Sequence, residues 1–477
     1  TKRTIVAAGV TACFPAIVSL LQTIINLPNG EVYFSGIDTF SDDIYWQMID
    51  ETHPQFELKE LLSLLHIDRK QIMQLCPPKD AYREQFICEI MRPAALSDTW
   101  QALTYNKELV QSLEHITLLE SKTQTDEAVA IALKMREVLN FPQKTAALIT
   151  YDRNLARRVA AELARFEIKI DDSAGMPLSL SPIGIFISLL KNPFMIFHSN
   201  YADFRNQVYS YEFNLRQNKF FTAENEPAFI HSIKNRLAEL TKLISSPQVS
   251  FSEILKLHIT LAEDFASSDT AAGKLFLWRG DAGKCAAAFL TKLCESAKFL
   301  DNINGQDYLS LFCELMGLES VRTSYGTHPR LSILGPIEAH LCHFDYIILG
   351  EFNEGIWPKT PSADMWMSRP MKKDFGFSLP EKDIGILGAD LGGFLTADEV
   401  IITRADRVDG APMKKSRWLL RMETVLKALK TDINALKSEE FSQLSLQIDL
   451  PDAYYPISSP APCPPLEARP KKLSASA

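Results

Sequence analysis

A run of basic residues in the last quarter of the chain offers the clearest charged chemistry. Between positions 404 and 421, six cations face only Asp406 and Asp409, in a chain of 477 residues with a formal net charge of −9. A local excess of positive charge beside a predicted strand suits binding of a nucleic-acid backbone. We therefore predict DNA contacts for five side chains: Arg404, Arg407, Lys414, Lys415 and Arg417. A solvated helix start without a ligand would give the same pattern, and both interpretations stay open.

Residues 280–285, with the sequence GDAGKC, resemble a phosphate-binding loop but lack its spacing. The P-loop places its second glycine five residues after the first, so that backbone N–H groups cradle the phosphates, and follows it with Lys and a hydroxyl residue. Here Gly283 follows Gly280 by three residues, and Cys285 replaces the hydroxyl. We interpret the segment as a helix-capping loop without a nucleotide.

Two other groups of residues could serve catalysis or metal binding, but neither has the necessary pattern. His340, Cys342, His343 and Asp345 form a single group, whereas zinc sites usually combine two separated ligand pairs. Magnesium-dependent nucleases need a Pro-Asp pair followed by an acidic-x-Lys triplet, and no such triplet follows the pair at 451–452. The sequence therefore predicts no catalytic residue, no metal ligand and no cofactor-binding residue.

Aromatic and basic residues alternate between positions 194 and 221. Such mixtures can stack single-stranded bases, although a helical core with a charged outer face is the commoner cause. The residues concerned are Phe194, Phe197, Tyr201, Phe204, Arg205, Tyr209, Tyr211, Phe213, Arg216, Lys219, Phe220 and Phe221.

Composition and length limit the class of protein. With 46% hydrophobic and 23% charged residues, the chain is an ordinary folded protein of about three domains. Its eight cysteines contain no CxxC pair, which is typical of reduced thiols in a cytoplasmic protein. The longest apolar stretch, residues 16–27, is shorter than the ~20 residues that a membrane span needs, so we expect no contact with a membrane.

Periodicity predicts an α/β protein whose second sheet is interrupted. Residues 4–38 follow a strand–helix–strand pattern, and further buried strands are predicted at 116–120, 145–150, 331–334, 346–349 and 400–403. Helical periodicity dominates the stretch between 183 and 313. We predict one α/β domain from residues 116–180 and 321–445, a helical insertion at 181–320, an α/β segment at 1–115 and a linker at 446–477. Seven of the 26 prolines lie in that last segment.

Several of these segments resemble the AddB family of alphaproteobacterial type, whose members work with AddA in a helicase–nuclease that processes broken DNA ends. The resemblance covers essentially the whole chain. It is carried mainly by GEFNEGIWP at 350–358 and SRWL at 416–419, with support from residues 168–178, 189–194 and 328–338. It implies the superfamily 1 helicase architecture, in which two RecA-like domains contain parallel sheets and the second is split by a helical insertion.

The chain departs from this family at the motifs that turn over ATP. Aligned on residues 353–358, the helicase motif with the sequence KGLEF falls on His340, Leu341, Cys342, His343 and Phe344, so its Lys, Gly and nucleotide-contacting Glu are lost. Thr403–Ala405 superficially matches the motif that bears the arginine finger, but this segment reads as the strand after that motif, and Leu391 stands where the Arg would be. Phosphoryl transfer would lose its main electrostatic support.

The resemblance also implies partners and cofactors. The partners would be DNA, as a single strand or a broken end, and an AddA-type subunit, in the bacterial cytoplasm. We expect a piece of a longer protein, with the Walker A loop before it and a nuclease domain with iron–sulfur cysteines after it. ATP, magnesium and an iron–sulfur cluster would then belong only to the full complex. Three hypotheses stay open: an ATPase-inactive module that holds DNA, part of a competent ATP-dependent helicase, or a scaffold for AddA without DNA contact.

Overall fold

A computed structural model describes residues 4–10, 13–188, 201–216, 227–322, 326–340, 342–360 and 364–450, together with Ala453 and Pro465. Leu341, much of the aromatic segment at 194–221 and nearly all of the predicted linker therefore lie outside the described residues.

The described residues contain eleven β-strands: β1 (Ile5–Ala8), β2 (Gly30–Tyr33), β3 (Ile116–Thr123), β4 (Ala146–Ile149), β5 (Asp171–Asp172), β6 (Met176–Pro177), β7 (Ser320–Val321), β8 (Leu331–Leu334), β9 (Tyr346–Leu349), β10 (Glu399–Val408) and β11 (Ala411–Pro412). The α-helices up to the second half of the chain are α1 (Pro15–Ile25), α2 (Asp43–Gln47), α3 (Phe56–Leu65), α4 (Ala81–Met91), α5 (Lys107–Gln111), α6 (Gln124–Val138), α7 (Arg153–Arg165), α8 (Pro182–Ser188), α9 (Tyr201–Arg216) and α10 (Ala228–Ile244). The later helices are α11 (Phe251–Phe265), α12 (Lys274–Leu277), α13 (Gly280–Ser296), α14 (Tyr308–Gly317), α15 (Pro336–Ala339), α16 (Arg369–Asp374), α17 (Pro380–Phe394), α18 (Arg417–Ala428) and α19 (Glu440–Gln447).

A mostly parallel sheet forms the centre of the fold, which confirms the prediction of a mixed α/β protein. Its parallel strands lie in the order β3-β10-β9-β4-β8-β5, and β11 pairs antiparallel with the end of β10. The predicted strand–helix–strand unit at the beginning is also confirmed, since β1 and β2 pair in parallel around α1. The strand β5 contributes only Asp171 and Asp172, which pair with β8.

Side chains alternate between two helical layers along each central strand, as the two-residue period of a strand requires. In β4, Ala146 and Leu148 join the core formed with α6, α7 and α19, whereas Ala147 and Ile149 join the core formed with α4, α17 and α18. All four side chains are completely buried. Strands buried on both faces are typical of parallel sheets, and they explain why these segments read as continuous apolar runs.

Strands from both sides of the long helical stretch share this sheet. Ala146 of β4 lies opposite Leu331 of β8 on one side and Tyr346 of β9 on the other, and Thr117 of β3 lies opposite Ile401 of β10. The short strands β6 and β7 pair antiparallel at the two ends of the intervening stretch, whose described residues form α8–α14 around a separate apolar core. The exact domain limits stay a prediction. No helix among the described residues is long and apolar enough to cross a membrane.

We predict that the central strands carry a large part of the stability of the chain. Replacing the completely buried Ile348 of β9 with Ala should lower the free energy of unfolding by about 2–5 kcal/mol, because the cavity lies between two packed layers. Urea unfolding followed by circular dichroism measures this change. Ile337→Ala removes the same atoms from a side chain that is 81% exposed, and should change stability by less than about 0.5 kcal/mol. Equal losses in both variants would contradict this account of the core.

Candidate functional site at the carboxyl edge of the sheet

Polar side chains collect where β4 and β9 end and where α6 begins. In open parallel sheets this edge is the usual place for ligands, because the loops after the strands meet there. Gln124 and Glu127 lie in the first turns of α6, Asp152 follows β4, and Glu351 and Asn353 follow β9. Three carboxylates, those of Glu127, Asp152 and Glu351, thus face one another across the sheet edge.

Glu127 is completely buried and is held by partners from β10 and from the loop after β9. Its Oε1 accepts hydrogen bonds from the Thr403 hydroxyl at 2.6 Å and from the Glu351 backbone N–H at 2.8 Å. Glu351 has a φ of 55°, in the left-handed region that few residues other than glycine adopt. The second oxygen, Oε2 of Glu127, has no hydrogen-bond partner within the described part of the chain.

Asp152 and Glu351 are bridged by one amide group. Gln124 Nε2 donates to Asp152 Oδ2 at 2.5 Å and to Glu351 Oε2 at 2.9 Å. Burial, and then the neighbouring Asp152, raise the pKa of Glu351 to about 9. Burial opposes ionisation of Asp152 too, but hydrogen bonds from Glu351 and from backbone N–H groups lower its pKa below the usual value. Glu351 is therefore protonated at neutral pH and donates to the ionised Asp152.

The chemistry of this edge is that of a proton-holding cluster. Burial raises the pKa of Glu127 to about 7, so this second carboxyl group is only partly ionised at neutral pH. Hydrogen-bond acceptors and negative charge repel a phosphate group, whereas phosphate sites use N–H donors and cations. The carboxylate cluster thus favours bound protons over bound nucleotide phosphates.

The structure corrects the prediction that Arg404 contacts DNA. This residue is only 3% exposed, and its guanidinium group is satisfied within the chain. Nε donates to Asn353 Oδ1 at 3.1 Å, and Nη1 donates to Glu120 at 2.9 Å and to Asp406 at 2.6 Å. The sequence showed a cation beside a strand, but the inward direction of its side chain depends on the pairing of β10 with β3.

Lys415 is also largely occupied by carboxylates. Its Nζ lies 2.7 Å from Glu423 and 3.4 Å from Glu120, and its side chain is 30% exposed. Lys437 Nζ also forms an ion pair with Glu120 Oε2, at 2.6 Å. Burial opposes ionisation of Glu120, but these cations and Arg404 outweigh burial and lower its pKa.

Of the remaining predicted contacts, Arg407 and Lys414 are exposed, and neither forms an ion pair within the described residues. Arg417 forms a two-pronged pair with Glu354 through Nε and Nη2. Its backbone N–H donates to the same carboxylate at 2.9 Å.

The two sequence blocks at 350–358 and 416–419 form one interlocked unit. The Trp357 side chain is completely buried, and its indole N–H donates to Gly350 O at 3.0 Å. The Ser416 hydroxyl donates to the backbone carbonyl of Trp357, while Glu354 N donates to Lys414 O at 2.9 Å. These blocks therefore fix the loop after β9 against the start of α18.

The residues aligned with the lost helicase motif have a local role in the structure. His340 Nδ1 lies 2.9 Å from Asp390 Oδ1, and Cys342 and His343 are exposed. Residues 280–285 form the first turns of α13, which is a helix start and not a separate loop. Among the described residues, metal-ligand geometry is found at Cys13, Glu57 and Glu60 and not at residues 340–345. The ammonium group of Lys382 already pairs with both of those carboxylates.

Sequence reasoning missed the carboxylate cluster. Glu127 lies within an apolar helical stretch, and Asp152 and Glu351 follow buried strands within three residues. An acidic residue on the apolar side of a helix was the available signal, because buried carboxylates are rare without a partner.

Comparisons with known proteins give distant relatives without a described function. No protein-family model matches the chain. It is similar to an uncharacterized protein of Rickettsia felis, with 26% identity over 343 residues, covering 68% of this chain and 38% of the relative. An uncharacterized protein of Rickettsia bellii shares 22% identity over 414 residues, covering 81% of this chain and 47% of the relative. The chain spans less than half the length of both relatives, so the activity and partners of the whole protein are proposals.

We predict that Glu351→Gln flattens the pH dependence of stability. A carboxyl group whose pKa is raised from 4.5 to about 9 takes up a proton on folding, so its contribution is complete below pH 4.5 and is lost as the pH rises to 9. Gln keeps the donor to Asp152 and the acceptor for Gln124, and should be more stable than wild type at pH 8 by at least about 1 kcal/mol.

Urea unfolding between pH 5 and 9 measures this difference. The exposed Glu114→Gln serves as the control and should leave the curve unchanged. Parallel curves for wild type and Glu351→Gln would show that Glu351 is ionised in the folded state.

Proposed function

We propose that this chain is a helicase-like module of the AddB type that holds a DNA strand without hydrolysing ATP itself, within a helicase–nuclease of the bacterial cytoplasm. The observation that carries this proposal is the chemistry of the sheet edge. A RecA-like domain would bring cations and N–H groups to nucleotide phosphates, whereas this edge buries Glu127 and Glu351 beside the half-buried Asp152. Arg404 is neutralised by Glu120 and Asp406 and is turned inward.

The DNA part of the proposal depends on the two cations that remain exposed. Arg407 lies near the end of β10, which a tight turn joins to β11, and Lys414 comes two residues after β11. Because β10 and β11 pair, the backbones of Arg407 and Lys414 lie close together. Neither is held by a carboxylate among the described residues, so each can exchange water and counterions for a phosphate oxygen. Lys415 and Arg417 would contribute less, because Glu423 and Glu354 already bind them.

The resemblance supplies the partner in this proposal. An AddA-type subunit would provide the motor, and the module would position a strand for a nuclease active site elsewhere in the complex. The competing hypothesis of a competent helicase is disfavoured by the carboxylate cluster. The scaffold hypothesis expects no contact between DNA and Arg407 or Lys414, whereas the proposed DNA-holding module requires it.

We expect the purified chain to show no ATP hydrolysis above a mock purification, with or without single-stranded DNA, because Glu127, Asp152 and Glu351 place carboxylates where β4 and β9 end. A coupled assay of phosphate release measures this. Turnover that depends on DNA and disappears in Arg404→Gln would contradict the proposal, since it would place Arg404 beside the reacting phosphate.

We expect binding of single-stranded DNA to depend on Arg407 and Lys414. The double variant Arg407→Ala/Lys414→Ala should weaken binding equally for unrelated sequences, and should reduce the slope of log affinity against log salt by about 1.4, or ~0.7 per charge. Fluorescence anisotropy across a salt titration measures both quantities. The control Arg279→Ala/Lys298→Ala removes the same charges from exposed positions in the helical stretch.

Affinity and slope equal to wild type in the first double variant would move the DNA path elsewhere. An equal effect of both double variants would indicate nonspecific attraction to total charge.

A further inference from the structure

A small pocket between the amino-terminal region and α18 contains a half-buried cation, Arg421, that forms no ion pair within the described residues. The pocket has a volume of about 180 Å³, and its polar walls include Thr52, His53, Arg92, Arg417 and Arg421. Pockets for drug-sized ligands usually measure about 300–1,000 Å³, so this one has room for a single small group. We call it the arginine pocket, after Arg92, Arg417 and Arg421.

Arg421 is the unusual member of this group. Its guanidinium group donates through Nε to Ile90 O and through Nη2 to Arg92 O. Its Cζ lies 5.0 Å from the centre of the Trp100 ring, in a cation–π contact. No carboxylate within the described residues pairs with it, and burial lowers its pKa. Two backbone carbonyls thus fix the orientation of this group and leave its charge uncompensated, which is costly away from water.

Arg92 and Arg417 each keep a free donor beside Arg421. Glu89 binds Nε and Nη2 of Arg92, and Glu354 binds Nε and Nη2 of Arg417. In all three arginines Nη1 makes no hydrogen bond within the described part of the chain.

The other titratable residues that line the pocket do not supply a negative charge to balance Arg421. His53 is neutral, because its Nδ1 accepts from Gln55 N at 3.0 Å, and burial with a contribution from Arg421 lowers its pKa to about 4. Asp50 is exposed, and its Oδ1 accepts from the backbone N–H and the hydroxyl of Thr52. It is the one carboxylate among the lining residues, against three guanidinium groups.

We propose that the arginine pocket binds a single phosphate group, either inorganic phosphate or the terminal monoester of a longer ligand. A tetrahedral oxyanion offers at least three acceptor oxygens, which match donors approaching from three guanidinium planes, whereas a carboxylate offers two. The carboxylate cluster, Arg407 and Lys414 are not among the residues that line the pocket. The proposal goes beyond the DNA-holding function, because inorganic phosphate alone tests it.

The test compares two substitutions of the same size at the rim. Thr52→Glu places a negative charge in the pocket, whereas Thr52→Gln adds the same volume without charge. Binding of inorganic phosphate is measured by calorimetry and by thermal shift, with the ionic strength held constant by sodium chloride. Thr52→Glu should weaken binding about tenfold or more relative to Thr52→Gln, and Arg417→Gln should weaken it relative to wild type. Arg421→Gln should abolish binding if it folds, and the Thr52 pair keeps the test valid if it does not.

A second arm identifies the source of the phosphate. Oligonucleotides of one sequence, bearing a 5′-phosphate, a 3′-phosphate or neither, are compared by anisotropy with the same variants. A preference for one phosphorylated end that Thr52→Glu removes would support a terminal DNA phosphate, and binding of inorganic phosphate without such a preference would support the free anion. No saturable phosphate binding in either arm, or equal binding by Thr52→Glu and Thr52→Gln, would overturn the proposal.

Discussion

The cost of burying charge at the carboxyl edge of the sheet constrains the rest of this structure. Glu127, Glu351 and Arg404 are each at most 3% exposed, and an isolated ion at such a position is strongly disfavoured. Each is tolerated because another element supplies its partner: Thr403 of β10 for Glu127, Asp152 at the start of α7 for Glu351, and Glu120 of β3 for Arg404. The order and register of β3, β10, β9 and β4 are therefore also the conditions that keep these groups satisfied.

The same need for partners explains why the blocks at 350–358 and 416–419 are distinctive in the sequence. The Ser416 hydroxyl in the second block is buried and bound to a backbone carbonyl. The residues of both blocks close the edge, with Asn353 binding both Arg404 and the backbone carbonyl of Ala405, and with Ser416 anchoring the carbonyl of Trp357. The blocks resemble a functional motif because they are chemically specific, yet the contacts observed here are structural.

Strands and helices with a clear local pattern of apolar residues could be predicted from the sequence. The apolar runs at 146–149, 346–349 and 400–403 are strands because they pack against helices on both faces, and the helix at Pro15–Ile25 begins where proline is favoured. Long-range pairing decided what the sequence left open. Arg404 and Arg407 lie three residues apart on one strand, but one points into the chain and the other into solvent. The carboxylate cluster joins residues more than 200 positions apart, and no local pattern reports such a meeting.

The antiparallel pair formed by β6 and β7 has a consequence for how this architecture tolerates change. It brings the two ends of the helical stretch together at hydrogen-bonding distance, so the sheet is joined to α8–α14 through one narrow neck. The entropy of closing a loop grows only with the logarithm of its length, and lengthening a connection from ~10 to ~140 residues costs about 2–3 kcal/mol. Related chains can therefore lengthen, shorten or replace the inserted helices at this neck while the register of the parallel strands stays the same.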